Sequence, residues 1–172
     1  LDSFSIAPDY APQGTAGERI AVSGSEINID AQYTGLPQTF QWRFNGKSIR
    51  GATEPRLTLR NVTTAQAGQY DCLLGAVGNG VRMSQASTST YVSVINASSK
   101  VFKVQGGGKV SFSTSGKGKN LTYKWWHGSR ELRGEDKPSL NRSFLQTFDS
   151  GDYVCEVSNA GGVVTAGVNR LH

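Results

Sequence analysis

One pattern occurs twice in this chain, 83 residues apart. Ile27, Ile29, Ala31, Trp42, Ile49, Val62, Gly68, Tyr70 and Cys72 return as Val110, Phe112, Thr114, Trp125, Leu132, Leu145, Gly151, Tyr153 and Cys155. The offset never changes, so no insertion separates the matched positions. A fixed-period repeat of this length means two copies of one structural unit. The matched residues are apolar, aromatic or glycine, which are residues of packing rather than of chemistry.

The 172 residues therefore divide into two domains, each within the size of an independently folding sandwich of strands. The expected boundaries are 1–95, led by an extended arm at 1–18, and 96–172. The polar run Asn96–Lys100 is the expected linker, short enough to permit only hinge motion. Gly is abundant at 21 and charged residues make up 18%, a composition of short strands and turns. No run of about 18 apolar residues is present to span a bilayer. Leu1 is not an initiator Met, and the chain reads as a fragment or a processed product.

The formal charge of +5 is carried entirely by the second copy, which has eleven basic and six acidic residues from 96 onward. Scattered lysines, without interleaved exposed aromatics, fit a solvated surface and no specific nucleic-acid site.

Period-two alternation marks the strands. Ile27, Ile29 and Ala31 share one face, as do Phe40, Trp42 and Phe44, with the turn signal Asn45-Gly46 following at once. Leu57 with Leu59, and Tyr70 with Cys72 and Leu74, mark two more. A second signal, Asn79-Gly80, opens the last hairpin of the first copy. The second copy repeats the plan, with turns expected at Gly106–Gly108 and Gly116–Gly118. Arg142 falls where the first copy has Leu59, and a bulge near Phe144 would restore the phase. The fold class is all-β. Cys72 and Cys155 hold equivalent places in separate domains, too far apart to bridge, and are expected as free buried thiols.

Each copy resembles an immunoglobulin-like domain of the intermediate (I-set) kind. In that family a core Trp packs on a disulfide, and a Tyr two residues before the second Cys forms a corner. The resemblance gives Trp42 and Trp125 the first role, and Tyr70 and Tyr153, ahead of Cys72 and Cys155, the second. It covers residues ~20–95 and ~101–172. The partner Cys is replaced by Ala31 in one copy and Thr114 in the other, removing a cross-link worth about 2–4 kcal/mol. Gly51–Val62 followed by Ala67-Gly-Gln-Tyr resembles the disulfide-free repeats of bacteriophage virion and bacterial surface proteins.

Nothing in the sequence assembles a catalytic group. His127 reads as an exposed turn residue, and His172 ends the chain. Asp149 and Asp152 read as turn carboxylates. No cofactor or metal is implied. Four sequons, at Asn61, Asn96, Asn120 and Asn141, would carry glycans in a secreted eukaryotic protein. Trp126 follows the core Trp and should face outward, as an anchor for a partner or as packing. Phe4 and Tyr10 in the arm, and Asn79 in the long hairpin, complete the candidate interface, with the arm able to dock on neighbouring subunits. The expected function is a non-enzymatic module recognising a protein or glycan surface, either as virion decoration or as a bacterial surface adhesin or spacer. The alternative is a eukaryotic adhesion or receptor ectodomain, or a muscle-type pair. The expected place is extracellular or on a virion surface.

Overall fold

The computed structural model describes residues 10–12, 17–78 and 81–172. The first copy supplies β1 (Tyr10–Pro12), β2 (Gly17–Val22), β3 (Ile27–Asp30), β4 (Tyr33–Gly35) and β5 (Thr39–Phe44). It continues with β6 (Lys47–Ser48), β7 (Arg56–Leu59), β8 (Gly68–Gly78), β9 (Val81–Ala86) and β10 (Thr90–Ile95). The second copy supplies β11 (Lys100–Phe102), β12 (Lys109–Ser113), β13 (Gly116–Lys117) and β14 (Thr122–His127). It ends with β15 (Arg130–Glu131), β16 (Ser139–Ser143), β17 (Gly151–Asn159) and β18 (Gly162–Leu171). Single 3-10 turns at Thr64–Gln66 and Thr147–Asp149 are the helical elements among the described residues. The fold is all-β, a tandem of two immunoglobulin-like sandwiches.

Among the described residues, one compact unit holds 10–12, 17, 27–59, 68–78 and 81–91, and the other holds 18–26, 60–67 and 92–172. In the first unit β3 pairs with β7, setting Ile27 against Leu59 and Ile29 against Leu57. Alternation sends these four side chains inward. The facing ladder is β5 with β8, where Trp42 lies opposite Cys72 and Phe44 opposite Tyr70. The β5–β6 turn carries Asn45 at φ 47° and Gly46 at φ 79°, the two positive values that a tight hairpin needs.

In the second unit the main sheet runs β11-β18-β17-β14-β15, and β12 pairs with β16 across the core. Phe112, Trp125, Leu140, Tyr153, Cys155 and Val157 are among its most buried side chains. Phe112 stacks on Tyr153 with ring centroids 4.4 Å apart and meets Phe102 edge-on at 5.1 Å. The first copy has Ile29 at the position of Phe112, so the second core is the more aromatic. Gly167 packs against the backbone of Ser98 at φ 111°, a place no Cβ could occupy.

Several expectations change. The β12–β16 register runs without interruption from Lys109 opposite Ser143 to Ser113 opposite Ser139. No bulge restores the phase, and Arg142 takes the inward position directly, opposite Val110. Gly116 and Lys117 are not a turn but a short strand, pairing with Ile95 and Val94 of β10. The last strand of the first copy is broken into β9 and β10. At the break the Ser87 N–H donates to the Cys72 carbonyl at 2.7 Å, and its Oγ accepts from the Cys72 N–H at 2.9 Å. The segment expected as a hinge is tied at each residue. The Asn96 N–H donates to the Ser115 carbonyl, the Ala97 N–H to Ser23 Oγ, and the Ser98 N–H to the Ala166 carbonyl, while Ser99 Oγ accepts from the Val168 N–H. The expected leading strand around Phe4–Ile6 and the Asn79-Gly80 turn lie outside the described residues.

Candidate functional site

The repeated residues form two matched clusters. Trp42 is buried, and its Nε1–H donates to the Glu54 carbonyl at 2.9 Å. Trp125 is buried, and its Nε1–H donates to the Lys137 carbonyl at 2.8 Å. The indole thus satisfies its single donor on a loop backbone while the ring fills the core. Tyr70 and Tyr153 are buried, and the Tyr153 hydroxyl donates to the Asp149 carbonyl at 2.8 Å. Cys72 and Cys155 lie directly across the ladder from the two indoles. Both are free and buried. Burial pushes each thiol up from 9.0 to about 11, so both stay protonated and unreactive at neutral pH. Thr114, in the place of a bridging Cys, has a buried hydroxyl with no hydrogen-bond partner.

His127 is not an exposed turn residue. It ends β14, and its ring stacks on Tyr153 at 4.4 Å with the planes 5° apart. One ring nitrogen lies 3.1 Å from the Ser150 carbonyl. The first copy places Phe44 against Tyr70 at the same position, at 4.9 Å with the planes tilted by 32°. His127 therefore does the packing of Phe44. Gly151, at φ 139°, makes room for it, because a Cβ there would sit 2.8 Å from His127 Nε2.

The candidate interface residues are not brought together among the described residues. Trp126 is half-buried on β14, and Lys124 Nζ lies 5.9 Å from its ring centroid, within the reach of a cation–π contact. Its Nε1 is buried without a hydrogen-bond partner. The backbone of Tyr10 belongs to β1, which pairs with β4 of its own unit. The described part of the arm is thus engaged within the chain. Phe4 and Asn79 lie outside the described residues.

Sequence reasoning missed a cavity of about 620 Å³ in the second unit, lined by Arg130, Glu131, Leu132, Arg133, Glu135 and Arg142. It opens between β15, the turn that follows, and β16. Arg142 Nη1 donates to Glu135 Oε1 at 2.8 Å, with about a third or less of either side chain exposed. The mismatch of Arg142 with Leu59 was the one available signal. Among the described residues no group of three or more His, Cys, Asp or Glu could hold a metal ion, and no helix is long and apolar enough to cross a membrane.

No family model matches the chain. It is similar to Kin of IRRE-like protein 2 of Mus musculus, with 28% identity over 161 residues, covering 89% of this chain and 23% of that protein. It is also similar to Hemicentin-1 of Mus musculus, with 29% identity over 160 residues, covering 83% and 3%. The chain thus spans less than a quarter of either relative. Among solved structures, an I-band fragment of titin superimposes with a TM-score of 0.47 at 18% identity, covering 94% of this chain and 64% of that one. The N-terminal four Ig domains of Dscam1 isoform 8.4 give 0.44 at 17% identity, covering 97% and 45%. The virion and bacterial affiliation drawn from the missing bridge has no counterpart in these relatives. What is established is the coarser statement, that the chain is a tandem pair of immunoglobulin-like domains.

Proposed function

We propose that this chain is a non-enzymatic recognition segment of an extracellular adhesion-type protein, built from domains at 1–95 and 96–172. The observation that carries this reading is the similarity to two mouse proteins over more than four-fifths of the chain, relatives of the immunoglobulin-superfamily adhesion kind. Physical support comes from where the repeated residues go. Each copy uses its Trp, Tyr and Cys in a closed core, both thiols are buried, and His127 is engaged in stacking on Tyr153. What remains for function is outer surface, which in this fold recognises protein or glycan partners. Asn61, Asn120 and Asn141 are exposed, as glycan attachment requires. Surface biotinylation of the cells that make the protein tests the reading. Recovery of the chain in the labelled fraction supports it, and recovery only from the cell interior refutes it.

A second reading, display on a virion or bacterial surface, rests on one specific observation: both cysteines are unbridged, which is uncommon in secreted eukaryotic domains of this size. Finding the chain by mass spectrometry in purified virions would favour it over the first.

A further inference from the structure

The two copies differ in charge at one inward strand position, where the first has Leu59 and the second has Arg142. Leu59 is 8% exposed and seals the first core opposite Ile27. Arg142 stands at the same inward position opposite Val110. A guanidinium cannot be buried there alone. It pairs with Glu135, and a cavity of about 620 Å³ opens beside the pair. Arg130 and Arg133 reach the same cavity from β15 and the following turn, and no ion pair joins either to a carboxylate among the described residues. In the first copy Lys47 stands where Arg130 is, Arg50 where Arg133 is and Ala52 where Glu135 is, so the Arg142–Glu135 pair and the opening beside it belong to the second copy alone. The second copy also holds all of the chain's excess positive charge.

We propose that this cavity is a binding site for an acidic saccharide, a glycan chain bearing sulfate or uronate groups. Arg130 and Arg133 present free planar forks that match sulfate and carboxylate in bidentate geometry. Arg142 has its charge offset by Glu135, and the pair fixes the back of the site, so the free positive charge comes from Arg130 and Arg133. The volume falls within the range of small-ligand sites, about 300–1,000 Å³, enough for a few sugar rings. Leu132 is the one apolar side chain in the lining. The lining has no aromatic side chain to anchor a protein partner as Trp or Tyr would, and its arginine forks meet the sulfate and carboxylate groups of a saccharide directly. The surplus charge of the second copy raises the local concentration of such an anion. The proposal rests on the surface-recognition reading only in giving that surface a ligand.

Titration of the whole chain with a heparin-derived hexasaccharide at two salt concentrations tests it. Arg130→Ala with Arg133→Ala should weaken binding about tenfold or more and lower its salt dependence. Arg142→Leu combined with Glu135→Ala, which restores both residues of the first copy, should also lose binding while melting no lower than the parent. Lys100→Ala with Lys103→Ala removes the same charge elsewhere and should change binding less than twofold. The proposal is overturned if the parent does not bind, if the lysine control weakens binding as much as the arginine pair, or if a poly-glutamate peptide of equal charge binds as tightly. None of these outcomes bears on surface biotinylation, so a failure here leaves the adhesion reading to its own test.

Discussion

Replacing Trp125 with Ala should destabilise the second copy far more than the first. The indole is fully buried, and a side chain of its kind removes about 150–250 Å² from water. At about 25 cal/mol per Å² this is about 4–6 kcal/mol, an upper bound because real unfolded chains already bury part of that area. The substitution also deprives the Lys137 carbonyl of its 2.8 Å donor, which costs about 1 kcal/mol. Partial collapse of the surrounding Phe112, Leu140 and Cys155 recovers some of the loss. The net falls at about 3–5 kcal/mol, typical of large-to-small changes in packed cores. A domain of this size has a total stability of about 5–15 kcal/mol, and this one has no bridge in reserve. In urea, with a slope of about 1–3 kcal/mol per molar, the second-copy transition should move down by roughly 2 M or vanish. Far-UV circular dichroism follows both copies, and the fluorescence of Trp42 helps to follow the first. Trp125→Phe keeps a ring in the core and should lose about half as much. A Trp125→Ala midpoint within a few tenths molar of the parent would refute the view that the indole closes this core.

Thr114→Val removes a buried hydroxyl that has no partner and should stabilise the second copy by about 1 kcal/mol; a lower urea midpoint would show that the hydroxyl is bonded. His127→Phe imports the residue of the first copy and should melt at or above the parent, whereas His127→Ala should cost about 1–2 kcal/mol through the lost stack on Tyr153. A loss of stability in the Phe variant equal to that of the Ala variant would show that the ring–carbonyl contact, not the stacking, matters. Both thiols are raised from 9.0 to about 11, so their contribution is full below about pH 9 and is lost as pH rises to about 11, where the unfolded chain ionises first. Melting temperature should fall across that window, and less steeply in a Cys72→Ala, Cys155→Ala chain; equal slopes would contradict the burial of the thiols.

The sandwich architecture was legible because its signals are local. Period-two alternation places Ile27, Ile29, Trp42 and Phe44 without knowledge of their partners, and Asn45-Gly46 announces its own turn. Arg142 was legible only as a conflict. Its strand phase points inward and its charge points outward, and a bulge is the simplest way for a sequence pattern to reconcile the two. The structure resolves the conflict through Glu135, seven residues away, which no strand pattern predicts. The packing role of His127 is not legible in the sequence, because a histidine beside a turn has no periodic signature. Its role shows only when Phe44 and Tyr70 are set beside His127 and Tyr153. The ties of residues 96–99 depend on Ser23, Ser115, Ala166 and Val168, up to 74 positions away, and a polar run looks the same whether bonded or free. The arginine-lined cavity needs the 130–135 turn and β16 folded against each other, so composition records its charge and nothing records its shape.

Counting thiols tests the foundation of this picture most directly. A chromogenic thiol reagent, applied to purified protein without reductant, should find none in the native chain and two after denaturation. Finding none after denaturation would mean that the sulfurs are joined, and that the two cores are not held closed by their indoles alone.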